Sequence, residues 1–228
     1  MKHPATYTDA FIPIFADFLK TSNIVLDPFA GTGKLALIKR LGFIGQVWCN
    51  ELEPEWATSK QYLVDRWNIG DARDLSWTTG VDAICTSPTY ANRMADSHEA
   101  KGESRRITYT HYLGRKLSAG NSGAMQWGDK YRELHECVWK ECWRLLPLNG
   151  KMIVNVSNHI RKGIEIDVVG CHESCLKKIG FVLVNHVKVE TPRMKFGQNS
   201  EKRIRNESVL VFEKHCSEDC NILPNWLT

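Results

Sequence analysis

Residues 23–34 read NIVLDPFAGTGK, a short apolar run that breaks at Asp27-Pro28 into a turn with glycines at 31 and 33. A run of this length bounded by Pro and Gly reads as a buried strand, and the two glycines allow the positive φ angles of a tight turn into a helix. Working outward, an amphipathic stretch over Asp9 to Leu19 precedes it, with Phe11, Ile14, Phe15, Phe18 and Leu19 on one helical face. A helix follows over Lys34 to Leu41, then a strand over Gln46 to Asn50, a helix over Glu55 to Trp67, a short strand at Trp67 to Ile69 and a strand over Val81 to Thr86. A long polar stretch, Ser87 to Asp129, leads to a helix over Lys130 to Leu146. A strand over Lys151 to Val156, a helix over Ile166 to Ile179, and strands over Phe181 to Val189 and Ser208 to Glu213 complete the order. Alternating strands and helices predict an α/β sandwich with parallel strands covered on both faces. The last two strands have no helix between them and are expected to pair antiparallel at the end of the sheet.

Ligands in such sheets bind beyond the carboxyl ends of the strands, so the residues just after each strand are the ones to inspect. The first turn does not fit a phosphate loop: with Gly33-Lys34 as the Gly-Lys pair, the first glycine would fall on Pro28 and the Ser/Thr on Leu35. A dinucleotide fingerprint fails as well, and Asp27 beside the turn suits a ligand that is positively charged there. The second strand ends in Asn50-Glu51-Leu52-Glu53-Pro54, which makes Glu51 the candidate for ribose hydroxyls. The third ends in Gly70-Asp71-Ala72, where Asp71 is a candidate acceptor for an adenine amino group. The fourth delivers Ser87-Pro88-Thr89-Tyr90 to the same edge.

The 228 residues are 43% apolar and 25% charged, enough for one globular domain and incompatible with a disordered tail. MKHPATYTDA at the start holds no apolar run, and no stretch approaches the roughly 18 apolar residues of a membrane span, so a soluble, cytoplasmic chain is expected. Eight cysteines without a leader read as reduced thiols. Cys171 and Cys175, with Cys216 and Cys220, make a four-thiolate zinc site conceivable, but the spacing is not that of a zinc knuckle and no metal is expected. The net charge of +4 is too mild to mark a nucleic-acid binder by itself. Its distribution says more.

Basic residues concentrate in two segments. Arg93, Lys101, Arg105, Arg106, Arg115 and Lys116 oppose Asp96, Glu99 and Glu103 in the first, and Arg193, Lys195, Lys202, Arg203 and Arg205 oppose only Glu201 in the second. Tyr109, His111, Tyr112 and Trp127 are interleaved with the first, a mixture suited to phosphate contacts and base stacking. The expected organisation is one domain over 1–228, with an inserted substrate-recognition region at 91–129, a basic loop at 191–206 and a peripheral tail at 214–228. Asn158-His159-Ile160-Arg161 reads as a polar strand-end turn that can border a base pocket.

Taken together, Leu26-Asp27-Pro28-Phe29-Ala30-Gly31-Thr32-Gly33, Glu51-Leu52-Glu53-Pro54 and Gly70-Asp71-Ala72 resemble the cofactor motifs of S-adenosylmethionine-dependent amino-methyltransferases acting on DNA. His3-Pro4-Ala5-Thr6-Tyr7 is similar to the motif that some members carry ahead of the glycine turn, where it helps hold the methionine end. Ser87-Pro88-Thr89-Tyr90 resembles their catalytic tetrapeptide, with Thr89 where the family has proline. The resemblance implies a Rossmann-like class I methyltransferase sandwich, a mostly parallel seven-stranded sheet with an antiparallel terminal strand. It also implies S-adenosylmethionine as cofactor and transfer to N4 of cytosine, favoured by the serine, or N6 of adenine in a flipped-out base. In that reading Ser87 Oγ and the Pro88 carbonyl accept hydrogen bonds from the target amino group, and Tyr90 stacks on the base. An RNA base methyltransferase, a methyltransferase for protein or small molecules, and a catalytically silent homologue that binds nucleic acid remain as alternatives.

Overall fold

A computed structural model describes residues 3, 7–58, 62–91, 109–191 and 204–215, with the His111 side chain excluded. Among them, the helices are α1 (Phe11–Leu19), α2 (Pro54–Ala57), α3 (Tyr109–Leu113), α4 (Asp129–Leu145) and α5 (Val168–Ile179), with 3₁₀ helices at Lys34–Leu41 and Ser122–Ala124. The strands are β1 (Ile24–Asp27), β2 (Gln46–Glu51), β3 (Arg66–Ile69), β4 (Ala83–Thr86), β5 (Lys151–Val156), β6 (His159–Arg161), β7 (Ile164–Ile166), β8 (Phe181–Glu190) and β9 (Asn206–Lys214). Seven of them form one sheet in the order β3-β2-β1-β4-β5-β9-β8, and β6 with β7 makes a separate hairpin. The pairs within β3-β2-β1-β4-β5 are parallel. β9 runs antiparallel to both β5 and β8, as the missing crossover helix requires. The sheet is the mostly parallel seven-stranded one that the motifs imply, with β9, last of the described strands, seated one place in from the edge.

Period-two alternation gives the sheet two apolar faces. Leu26, Ile84, Met152, Val154, Leu210 and Phe212 pack on α4 and α5. Val25, Val47, Cys49, Ala83, Cys85, Ile153, Val209 and Val211 pack on α1 and the first 3₁₀ helix. α4 reads as a helix because Tyr131, Leu134, His135, Val138, Trp139, Cys142 and Leu145 recur every three or four residues, and all are buried. At about 1.5–3 kcal/mol for each fully buried large aliphatic side chain, these two layers are the main favourable term in holding the strand ends in place.

Three expectations are corrected and one helix is refined in type. The helix expected over Glu55 to Trp67 is only the single turn of α2, because Arg66–Ile69 is drawn into the sheet as β3, parallel to β2. Its start is pinned by Asp65, which accepts from Val47 N–H (2.7 Å) and pairs with Lys39. Lys34–Leu41 is a 3₁₀ helix that begins at Gly33 (φ +80°) and closes on Gly42 (φ +91°). The helix expected from Ile166 starts at Val168, where the Asp167 carboxylate accepts from Gly170 N–H (2.9 Å), because the preceding residues form the β6–β7 hairpin. That hairpin also replaces the simple turn expected at Asn158 to Arg161. Among the described residues no helix is long and apolar enough to cross a membrane.

Candidate active site

The apolar face packed on α1 ends in a row of polar groups. Glu51, Asp27, Ser87, Asn155 and Glu207 each lie two residues beyond a core residue of that face: Cys49, Val25, Cys85, Ile153 and Val209. They come from the neighbouring strands β2, β1, β4, β5 and β9 in spatial order. Glu51, Asp27 and Ser87 sit at or just past carboxyl ends, Asn155 lies one residue before the end of β5, and Glu207 joins them at an amino end because β9 runs the other way.

At the β1 end, Asp27 is buried and accepts from Thr86 Oγ1 (2.7 Å) and Phe29 N–H (3.1 Å). Burial nevertheless pushes its pKa up to about 7. Glu51 is held across the glycine turn, accepting from Gly31 N–H (2.7 Å) and Glu53 N–H (2.9 Å), and burial pushes it up to about 8. Among the described residues neither of these two buried carboxyl groups faces a cation, which makes this edge a place where a positively charged ligand gains most. Gly31 (φ +55°) and Gly33 (φ +80°) shape the turn. A Cβ on Gly33 would stand 2.6 Å from Val64 Cγ2, and one on Gly31 3.3 Å from the His3 ring, which covers the turn and meets Trp56 edge-on. Tyr7 is half-buried near Asp27, and its buried hydroxyl has no hydrogen-bond partner among the described residues. Asn50 stitches three strand-end turns together by donating to Pro28 O (3.3 Å) and Gly70 O (3.0 Å) and accepting from Asn68 Nδ2 (2.7 Å).

The Ser87-Pro88-Thr89-Tyr90 loop leaves β4 beside this turn. Ser87 Oγ and Tyr90 Oη are 3.2 Å apart, and Tyr90 Oη donates to Glu207 Oε2 (2.8 Å). Asn155 Nδ2 lies 3.3, 3.2 and 3.1 Å from Ser87 Oγ, Tyr90 Oη and Glu207 Oε2. Thr89 is fixed by side chains in place of a proline ring: its carbonyl accepts from Tyr131 Oη (2.6 Å) and its Oγ1 donates to Ser122 Oγ (2.9 Å). Trp139 Nε1 can only donate, and it donates to His172 Nδ1 (3.2 Å), so His172 carries its proton on Nε2 and gives it to Tyr131 Oη (2.9 Å). Burial holds His172 neutral by pushing its pKa well below the usual value. The loop then turns through Ala91 at φ +59°, a left-handed conformation that costs a non-glycine residue about 1–2 kcal/mol.

A second hub faces the loops. Glu53 has no exposed surface and accepts from Arg115 Nη2 (2.7 Å), Ser118 N–H (2.8 Å), Ser118 Oγ (2.9 Å) and Asn121 Nδ2 (2.8 Å). Burial alone would raise its pKa, but these donors together hold it below the usual carboxylate range.

The site residues expected from sequence divide accordingly. Asp27, Pro28, Ala30, Gly31, Gly33, Glu51 and Leu52 come together with His3 and Tyr7 at one edge, while Phe29 turns its ring to the opposite face, onto His135 and Trp139. Asp71 stands next to Ala72 at the third strand end and is engaged by Arg73 (Nη2 to Oδ2, 2.5 Å). Arg115, expected on phosphate, spends its guanidinium on Glu53 and on Glu55 (2.6 and 2.8 Å). Lys116 and Arg205 are exposed. Pro4, Ala5, Thr6, Arg93, Arg105, Arg106, Arg193, Lys195 and Arg203 lie outside the described residues, as do Cys216 and Cys220. Cys171 and Cys175 line a cavity of about 290 Å³ between α4 and α5, and among the described residues no cluster of His, Cys, Asp and Glu could hold a metal.

Residues 81–223, well over half the chain, match the N6/N4 DNA methylase family. The chain belongs to this family. No curated protein matches it in sequence. Among solved structures, TrmN from Thermus thermophilus is 19% identical over 92% of this chain with a TM-score of 0.54, and the chain spans 50% of that protein's length. A methyltransferase from Pyrococcus furiosus is 14% identical over 94% of this chain and 88% of its own, with a TM-score of 0.58. A TehB-like SAM-dependent methyltransferase from Corynebacterium glutamicum is 17% identical over 89% and 86%, with a TM-score of 0.52. By family the chain is therefore a methyltransferase, and these structures share its fold. The matched span includes the Ser87 loop, Asn155 and Glu207, which form one end of the polar row. Asn155 and Glu207 were not expected from sequence. The signal was present in the antiparallel pairing expected for the last strand, which brings the start of β9 to the ligand edge.

Proposed function

We propose that this chain transfers a methyl group from S-adenosylmethionine to the exocyclic amino group of a nucleic-acid base, with N4 of cytosine in DNA as the favoured target. The observation that carries the reading is the commitment of the Tyr90 hydroxyl proton to Glu207. The Tyr90 oxygen is then left to accept from Ser87, and with Asn155 Nδ2 3.3 Å from Ser87 Oγ the serine keeps one lone pair as an acceptor for the base. An exocyclic amino group is a poor nucleophile because its lone pair is delocalised into the ring. Ser87 Oγ and the Pro88 carbonyl draw its two N–H bonds into hydrogen bonds and so aim the lone pair. Orienting the reacting atoms can supply about 7–11 kcal/mol of a barrier.

The residues fit the cofactor. Buried Asp27 and Glu51, raised by desolvation, favour a ligand that brings positive charge, and a Cβ on Gly33 in the turn would stand 2.6 Å from Val64 Cγ2. Asp27 with Tyr7 and His3 would hold the methionine end, Glu51 the ribose, and Asp71 with Ala72 the adenine. S-adenosylmethionine supplies an electrophilic methyl group on a sulfonium. The target atom is out of reach inside a duplex, so the base is flipped out and stacks on the Tyr90 ring, whose hydroxyl is anchored, for a gain of about 1–3 kcal/mol. Residues 1–228 act as one domain, with 91–129 and 191–206 gripping the nucleic acid and 214–228 peripheral.

The test is incubation with methyl-labelled S-adenosylmethionine and unmethylated DNA or RNA, digestion to nucleosides and mass spectrometry. Labelled N4-methylcytosine is expected from DNA, and N6-methyladenine or a product from RNA alone would reassign the target. Ser87→Ala and Tyr90→Ala should abolish transfer with cofactor affinity retained. Unchanged rates in both would remove this site from the reaction.

A further inference from the structure

We infer that Ser87, Tyr90 and Glu207 form a proton relay, with Glu207 as the terminal acceptor of the proton that the target amino group sheds. The inference rests on the function proposed above and deepens it. Three observations on the page lead to it. The links are continuous, with Ser87 Oγ to Tyr90 Oη at 3.2 Å and Tyr90 Oη to Glu207 Oε2 at 2.8 Å. Its inner end is nearly dry, since Glu207 is 5% and Asn155 0% exposed, so water does not compete for the proton and the hydrogen bonds are strengthened by the low local dielectric. Its direction is set, because Asn155 Nδ2 faces all three oxygens of the chain and an amide N–H can donate but not take a proton. Of the described groups in the cluster, the carboxylate is the one able to hold the proton at the end.

The step balances. As the amino nitrogen bonds to the methyl carbon, the carbon–sulfur bond breaks and its electron pair stays on sulfur, which becomes neutral. The nitrogen's proton passes to Ser87 Oγ, the serine's own proton to Tyr90 Oη and the tyrosine's proton to Glu207 Oε2. The carboxylate is neutral after transfer and releases its proton to water once the methylated base leaves. Glu207 touches no reacting atom and acts through Tyr90, so it is a positioning and proton-accepting residue. Tyr90 has two tasks that separate cleanly: its ring face serves the base and its hydroxyl serves the relay.

The experiment uses single-turnover methylation of the polymer that the wild type modifies, in H₂O and D₂O, with cofactor affinity from calorimetry as the check on folding. Glu207→Gln keeps the shape and removes the acceptor, and Tyr90→Phe keeps the ring and cuts the chain. Each is expected to slow transfer by about 100-fold, in the usual range for a positioned proton acceptor, with the cofactor dissociation constant unchanged. Groups in series fail together, so the double variant should be no slower than either single one. The wild-type solvent isotope effect should disappear in both. Glu207→Gln within threefold of wild type, or a double variant as slow as the product of the two single effects, overturns the relay while leaving the proposed function standing. If Glu207→Gln does not bind cofactor, Tyr90→Phe decides by the same criteria. A wild-type chain that methylates neither polymer overturns the function and the relay with it.

Discussion

Replacing Asp27 with asparagine should make the empty protein more stable at high pH while it weakens cofactor binding. Asp27 has an ordinary pKa of 3.8 that burial raises to about 7 in the folded chain. A carboxyl group whose folded value is raised holds its proton more tightly folded than unfolded, so its contribution is intact below about pH 4 and is lost as pH climbs toward 7. Three pKa units at 1.36 kcal/mol each amount to about 4 kcal/mol between pH 4 and 8. Glu51, raised to about 8, slopes the same way, so the wild type should lose stability steeply over this window and Asp27→Asn less so. The asparagine can still accept from Thr86 and Phe29, which limits the local cost. Urea unfolding of both proteins at half-unit pH steps from 4 to 8 gives the two curves, and their gap should widen by a few kcal/mol toward pH 8. A cationic ligand would pull the Asp27 pKa down, so wild-type affinity for S-adenosylmethionine should rise through pH 7 with proton release, visible as a buffer-dependent binding enthalpy. Parallel urea curves, or a cofactor affinity insensitive to Asp27→Asn, would refute the claim that a buried, uncompensated carboxylate waits for a cation.

Other substitutions probe the surrounding parts. Gly33→Ala places a Cβ 2.6 Å from Val64 at a φ of +80°; the backbone term alone is roughly 1–2 kcal/mol, and calorimetry should find cofactor binding lost. Glu53→Gln removes a charge that accepts from four donor atoms and should cost about 2–3 kcal/mol in urea unfolding, with faster proteolysis near Ser118. Tyr131→Phe leaves the His172 N–H buried without an acceptor and frees the Thr89 carbonyl, so a loss of about 1–3 kcal/mol should accompany a lower kcat at unchanged KM for cofactor.

Much of the sheet was legible because its signals are local. The strand from Ile24 and the Gly31–Gly33 turn announce themselves through an apolar run and two glycines, and Lys151–Val156 through its length and flanking breaks. Glu51, Asp27 and Ser87 could be found because parallel strands present their carboxyl ends to ligand. Glu207 escaped that rule, since it opens a strand that runs the other way. Asn155 escaped because it lies within a strand, among residues that otherwise build the core. The stretch from Glu55 to Trp67 misled for a different reason: its helical periodicity is real, but β2 offers Arg66–Ile69 a full ladder partner, and pairing outweighs propensity there. Arg115 counted as a basic loop residue in the sequence, where its two carboxylate partners, some sixty residues earlier, could not be seen beside it.

The placement of β9 has a temporal side. A chain leaves the ribosome from its amino end, at about 5–20 residues per second, and its early strands can dock before later ones exist. β1 to β5 and the glycine turn can therefore assemble while Asn206–Lys214 is still unmade, leaving the β5 edge bare and Tyr90 without its carboxylate. Seating β9 closes that edge and completes the polar row in one event. On the proposed reading, an unfinished chain would hold the cofactor cradle without the group that accepts the proton, so the capacity to bind would precede the capacity to react.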